Sequence, residues 1–230
     1  MDSSHPDMIK EKCIDNQPVE TIKTKDGSST FYNYTYQEHY HTLFGAREEA
    51  LIKYVEPAKI KDRDNTVILD VCFGLGYNSA AALEQKKEGA SMTIIGLEID
   101  PAILKEIKNM DFPFSNKELF VEAIEKGEVV KDRITLKIIV GDILNTIKTI
   151  KEKVDVVLFD PFSPKKQPEL WTQDLFKTIF ELMNPGGILT TYSCAKHIRE
   201  SMKNAGFMVE DGPVFGRRAP GTVARKKLEE

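Results

Sequence analysis

The chain has 230 residues, with 32 Lys and Arg against 36 Asp and Glu, a formal net charge of −4. Hydrophobic residues at 41% and charged residues at 30% give an ordinary globular balance and exclude a wholly disordered chain. No run of about 18 apolar residues is present to span a membrane, and three widely separated cysteines fit neither a disulfide framework nor a four-cysteine zinc site.

The opening Met1–Lys12 is polar and offers no apolar core for a signal peptide, so a soluble protein of a reducing, cytoplasmic compartment is expected. Net charge does not steer such a chain to nucleic acid; any contact of that kind must come from local basic patches. Residues 1–18 read as a loose polar lead. Glu20–Lys25 and Ser28–Tyr32 read as two short strands about an Asp26-Gly27 turn, since Asp-Gly supplies the positive φ that tight turns need. An aromatic-rich stretch follows, and a helix is predicted from near Gly45.

From Thr66 strands and helices alternate. Val67–Val71 is a buried-strand run that ends in glycines, with a helix over Asn78–Leu83. Met92–Leu97 is a second strand. Asp100 then caps a helix whose first residue, Pro101, lacks only an N–H that a helix start does not need. Ser115 and Glu118 have capping-box spacing before another helix, which Gly127 closes. Ile134–Val140 is a third strand, and Ile143, Leu144, Ile147 and Ile150 share one helical face behind it. Val154–Phe159 is a fourth strand, followed by a Pro-rich loop to Trp171 and a helix with Leu175, Phe176, Ile179, Phe180 and Met183 on one face. Pro185-Gly-Gly turns into a fifth strand, Ile188–Tyr192. A helix over Ala195, Ile198 and Met202 leads to Phe207–Glu210, and 214–227 supplies a last hairpin strand. This order predicts an α/β fold, a mostly parallel sheet covered on both faces, over 59–230, with 1–58 as an appended element.

In such sheets ligands bind beyond the carboxyl ends of the strands. Asp70 precedes a turn with Gly74 and Gly76 two apart, which lets a ligand approach the helix N-terminus. A dinucleotide fingerprint would need a third glycine where Ser79 stands, which disfavours a pyrophosphate. Glu98 ends strand two and can accept from ribose hydroxyls; Asp142 follows strand three, placed to take an adenine N–H. Alternatively, Asp142 is only a helix cap. Acid, glycine loop, acid and acid at successive strand ends resemble the class I S-adenosylmethionine (SAM) methyltransferases, a Rossmann-like fold.

Strand four ends in Phe159-Asp160-Pro161-Phe162. Enzymes of this type that methylate amines carry a similar Asp/Asn-Pro-Pro-Tyr/Phe loop here. An amine must aim its lone pair at the methyl donor while its N–H groups are held and its proton leaves; Asp160 can do both. Phe162 can stack on a planar base, worth about 1–3 kcal/mol. Alone, Asp160-Pro161 often does no more than start a turn. The longer stretch from Asp160 through Trp171 to Phe176 is similar to one segment of the MnmC-type tRNA methyltransferases, which complete 5-methylaminomethyl-(2-thio)uridine at the wobble position. Cys72–Asn78, Leu97–Pro101, Gly141–Ile143, Thr191–Ala195 with Arg199, and Ala205–Phe207 resemble further motifs of that family. Asp26-Gly27, Tyr40-His41, and Gly45-Ala46 with Glu49 resemble its N-terminal signature. Pro161 stands where the family has Gly, and Val214–Gly221 departs from its usual loop.

The resemblance implies direct transfer of a methyl from SAM to the primary amine of a 5-aminomethyl side chain on the wobble uridine of tRNA, leaving S-adenosylhomocysteine. It implies Asp160 as catalytic residue and Asp70, Phe73, Gly74, Gly76, Asn78, Glu98, Asp142 and Asp160 around the cofactor. Phe162, Lys166, Trp171, Tyr192, Arg217 and Arg218 are the substrate candidates. It also implies a stand-alone methyltransferase without the FAD oxidoreductase half, using neither FAD nor a metal. Lys165, Arg225, Lys226 and Lys227 add to the basic clusters, although such runs are usually solvated faces. Tyr32, Tyr34, Tyr36 and Tyr40 would share one face of a strand at period two, either packed on the domain or placed to stack on bases. Trp171 is either core beneath the loop or a pocket wall. The alternatives on the same fold are a polyamine synthase, which normally carries a second Asp where Val157 stands, a small-molecule N-methyltransferase, or a non-catalytic binding module. Oligomeric state is not legible.

Overall fold

The structure, a computed structural model, describes residues 21–228; the polar lead over 1–18, Glu20 of the expected hairpin, and Glu229 and Glu230 lie outside them. The chain opens with a small antiparallel sheet of β1 (Thr21–Lys23), β2 (Ser29–Asn33) and a two-residue β3 (Glu38–His39). The third strand is an addition to the expected hairpin. Helix α1 (Ala46–Glu49) follows and runs on as a π-helical turn, Ala50–Val55. The tyrosines do not form one strand stripe, because β2 ends at Asn33 and the turn beyond it carries Gln37 at φ 54°. Tyr32 and Tyr34 meet each other edge-on, while Tyr36 and Tyr40 turn the other way onto Phe162.

The main sheet begins with β4 (Asn65–Val71), followed by α2 (Tyr77–Glu84), β5 (Ser91–Glu98), α3 (Pro101–Asn109) and α4 (Lys117–Lys126). Asp100 caps α3 as expected, accepting from Ala102 N at 2.8 Å. The expected Ser115–Glu118 box at α4 does not form: the helix starts one residue later with Asn116 at the cap, and the Asn116 amide donates instead to Ala80 O. Next come β6 (Glu128–Lys131), β7 (Ile134–Val140), a single turn α5 (Ile143–Thr146) and β8 (Val154–Phe159). After the loop lie α6 (Gln173–Leu182), β9 (Met183–Thr191), α7 (Lys196–Asn204), β10 (Met208–Val214) and β11 (Pro220–Arg225). Pro185-Gly-Gly belongs to β9 rather than to a turn before it; the strand slips register between Val154 and Val156 of β8 and then pairs normally.

The eight strands lie in the order β10-β11-β9-β8-β4-β5-β7-β6. Neighbours from β9 to β7 run parallel, and the two ends are closed by antiparallel hairpins. Alternate residues of the central strands feed two cores. Ile68, Ile94, Val156 and Leu158 point to one face; Leu69, Ile95, Val157 and Phe159 point to the other. Strand order reverses between β4 and β8, so the ends of β4, β5 and β8 open onto one crevice.

Phe31, Ala46, Ala50, Tyr54, Val55 and Ala58 belong to the same core cluster as Ile68, Ile94 and Leu136. Residues 21–58 therefore pack over α2 as part of one face, which explains why Ala80, Ala81 and Ala82 are buried on every side. Phe31→Ala is expected to cost about 3–5 kcal/mol within a single urea transition. A separate early transition, or a loss below about 1 kcal/mol, would contradict a shared core.

Candidate active site

The turn from β4 into α2 needs its glycines for steric reasons. Gly76 has φ 71°, and a Cβ there would sit 2.8 Å from Phe73 Cζ and 2.9 Å from Phe120. The Phe73 ring stacks on Phe120 with centroids 5.9 Å apart, and Phe73 is also one of the cavity-lining residues. Tyr40 lies over Gly74 from above and accepts from the Asn33 amide at 2.9 Å.

Glu98, at the end of β5, braces this turn. Its Oε2 accepts from Gly74 N at 2.8 Å, and its Oε1 accepts from Ile99 N at 2.8 Å and Asp100 N at 2.9 Å. Burial raises its pKa to about 7 against the lowering effect of those three N–H groups. A carboxylate has about four acceptor directions, so about one remains for a ligand. Asp70 is fully buried: Oδ2 accepts from Ser79 Oγ at 2.6 Å, while Oδ1 has no partner. Burial pushes it up to about 8. Asp70 does not line the cavity; it fastens the first turn of α2.

Asp160 follows β8. Its Oδ1 accepts from the Tyr54 hydroxyl and its Oδ2 from Asn78 Nδ2 at 3.0 Å, while the side chain keeps surface towards the cavity. Burial and the nearby Glu49 carboxylate raise its pKa to about 7, opposed by Tyr54, Asn78 and the Lys53 ammonium. This group switches between acid and base near neutrality, which suits proton transfer at ordinary pH. Asn78 therefore acts behind Asp160. Tyr54 and Lys53 were not read as site residues. The π-turn buries three consecutive side chains, Lys53, Tyr54 and Val55, and a helical period of 3.6 gives no hint of that.

The loop after Asp160 is held from both sides. Beneath it, Trp171 Nε1 donates to Phe162 O at 2.8 Å while its ring meets Phe159 and Tyr192 edge-on. Trp171 is thus core beneath the loop, which corrects its assignment as a substrate contact. Above it, Glu38 accepts from Ser163 N at 2.9 Å and from Ser163 Oγ, and Tyr36 stacks on Phe162 with centroids 4.6 Å apart. Tyr192 donates from its hydroxyl to Pro161 O at 3.1 Å, and Arg217 lies over the Tyr192 ring.

These elements enclose a cavity of about 360 Å³ whose walls include Phe73, Gly74, Glu98, Asp160, Phe162, Tyr192 and Arg217 among the residues singled out from the sequence. Gly76 and Asn78 stand behind its wall. Asp142 lies at a smaller neighbouring hollow of about 40 Å³, which shares Tyr36, Ile99 and Gln167 with the main cavity. Asp142 occupies the cap position of α5, but its side chain makes no cap bond, so the carboxylate is not spent on the helix. Lys166 is outside the cavity, bonded to Gln37 at 3.0 Å, and Arg218 is exposed beyond the lining. Among the described residues no group of three or more His, Cys, Asp or Glu is arranged to hold a metal, and no helix is long and apolar enough to cross a membrane.

Residues 106–227 match a family described as S-adenosyl-L-methionine-dependent methyltransferase. The fold is similar to the crystal structure of MNMC2 from Aquifex aeolicus, with 35% identity and a TM-score of 0.80 over 92% of this chain and 72% of that one. An uncharacterized protein of Methanocaldococcus jannaschii is 32% identical over 227 residues, and the tRNA 5-methylaminomethyl-2-thiouridine biosynthesis bifunctional protein MnmC of Azoarcus sp. is 25% identical over 218. The matches cover 95% and 86% of this chain, but only 63% and 34% of those relatives.

Asp70, Glu98 and Asp160 each bind a proton more tightly folded than unfolded. Between about pH 4 and pH 8 the folded chain therefore holds more protons at these sites, and they withdraw stability as pH rises through that window. Asp70→Asn is expected to flatten the fall in urea midpoint across that range; an unchanged slope would contradict the burial argument.

Proposed function

Because the chain belongs to the S-adenosyl-L-methionine-dependent methyltransferases, and within them to the MnmC type, we propose that it methylates the primary amine of a 5-aminomethyl group on the wobble uridine of tRNA. On this reading residues 59–230 are the catalytic domain and 1–58 an extension, of which the described residues 21–58 roof the site. The observation that carries the chemistry is Asp160: a carboxylate with one donor on each oxygen, a proton affinity near neutrality and an open face on the cavity.

The residues present fit the methyl donor. Glu98 has an acceptor direction left for a ribose hydroxyl, Gly74 lets a ligand approach the backbone of the turn, and the free Asp142 carboxylate suits an adenine N–H beside Ile99 and Leu144. When bound, SAM supplies a methyl on a positively charged sulfur. Asp160 holds an N–H of the incoming amine so that its lone pair faces that methyl. The Asp160 carboxylate would then take the proton that the methylated amine releases. Tyr54 and Asn78 keep that carboxylate from rotating away. The Tyr36–Phe162 stack offers a flat wall to a base, and Arg217 at the cavity wall, with Lys166 and Arg218 on the surface outside it, supplies cations for a phosphate backbone.

A diamine reading needs two free carboxylates at the amine. Glu49 is the acid that bears most strongly on Asp160, but it is already paired with Lys53 at 3.0 Å, which disfavours polyamine synthesis.

Purified chain with labelled SAM is expected to methylate tRNA carrying 5-aminomethyluridine and to leave fully modified tRNA and putrescine unlabelled. Asp160→Asn should lower kcat by about 10²–10⁴ while SAM still binds. Equal transfer to putrescine, or full activity in the variant, would reject the assignment. Transfer should also weaken as salt is raised, since phosphate contacts release counterions.

A further inference from the structure

Lys53 and Glu49 form an ion pair at the cavity wall, with side chains only 4% and 12% exposed. Glu49 Oε1 accepts from Lys53 Nζ at 3.0 Å, and Oε2 accepts from Thr42 N at 3.0 Å. Lys53 precedes Tyr54, whose hydroxyl donates to Asp160, so the π-turn brings the cation and the phenol to the site as a unit. A pair buried this deeply pays heavily for lost hydration, and replacing such pairs with apolar groups is often neutral or stabilising. Its place beside the proposed proton acceptor gives it a use that stability does not.

We propose that Glu49 and Lys53 are a positioning pair for the methyl transfer: acting through Asp160, they set the pH at which its carboxylate accepts the amine proton. The proposal rests on the function given above. Asp160 is faced by Glu49, Lys53 and Tyr54 from the first helix and its π-turn, by Asn78 from α2, by Asp70 and Cys72 from the end of β4, and by Tyr192 after β9; Glu98 opens on the same cavity. Of these, Glu49 favours the protonated carboxyl most strongly after burial itself, and Lys53 favours the carboxylate. The pair thus works in opposition. Glu49 keeps Asp160 basic enough to take a proton, while Lys53 keeps it ionised before transfer and disfavours the protonated, unreactive form of an incoming amine.

The test is the titration of the Asp160 side-chain carboxyl by carbon-13 NMR in the unliganded full chain. It needs no acceptor, so its failure is separable from failure of the tRNA assay. In Glu49→Gln the midpoint should fall by about one pH unit, because a like charge is lost and the Lys53 cation remains. Adding Lys53→Met on that background should raise it again, to a value still below that of the wild type. The double variant is a neutral pair of similar volume, so comparison with the wild type retains the test if the single variant does not fold. A midpoint unmoved by these changes, or one lowered further by the second substitution, overturns the proposal.

Discussion

The site depends on keeping one carboxylate at the carboxyl end of a parallel strand, buried enough to be basic and held firmly enough not to rotate. Asp160 meets that demand because two separate elements donate to it, Tyr54 from the π-turn and Asn78 from the first turn of α2. Each donor is itself placed by distant contacts. The first turn of α2 is fastened by Ser79 on Asp70 and by the close approach at Gly76. The first helix is capped from the preceding hairpin: Asp26 accepts from Glu48 N at 3.0 Å, and Ser28 Oγ accepts from Ala46 N at 3.1 Å. A turn residue in the small sheet thereby helps aim a phenol at the Asp160 carboxylate.

The energetics run against the fold and towards the chemistry. Asp70, Glu98 and Asp160 are all buried acids held above their ordinary proton affinity, and Asp70 leaves an oxygen without a partner. Each costs stability once ionised, because burial disfavours the charged form. The cost is offset by the two alternating cores on the sheet faces and by the aromatic layer that Tyr36, Tyr40, Phe162 and Tyr192 build around the cavity. The same layer makes residues 21–58 part of the site: Glu38 fixes the loop at Ser163, and Tyr36 stacks on Phe162.

Much of this was legible in the sequence. Parallel strands buried on both faces read as nearly continuous apolar runs, which marks β4, β5 and β8, while β7, with Thr135 and Lys137 on its less buried face, reads by its β-branched residues; the acids near their ends could then be found by position. The strand β6 could not: Val130 is 72% exposed, and its hairpin turns at Asp132 and Arg133, both at positive φ without a glycine to mark them. Trp171 was ambiguous because an aromatic in a loop carries no sign of which side it faces, and only the bond to Phe162 O decides it. Lys53 and Tyr54 were hidden by the π-turn, which breaks the helical period, and the Glu38–Ser163 clamp joins residues 125 apart. Residue chemistry was readable wherever local periodicity set its direction, and not where tertiary contacts did.

A crystal structure with SAM or an unreactive analogue, and an aminomethyl nucleoside, tests the central claim most directly. The account predicts reacting atoms about 3–3.5 Å apart, with the Asp160 carboxylate hydrogen-bonded to the acceptor nitrogen and still accepting from Tyr54 and Asn78. A donor methyl bound against some other wall, with Asp160 more than about 6 Å from the acceptor nitrogen, would contradict it.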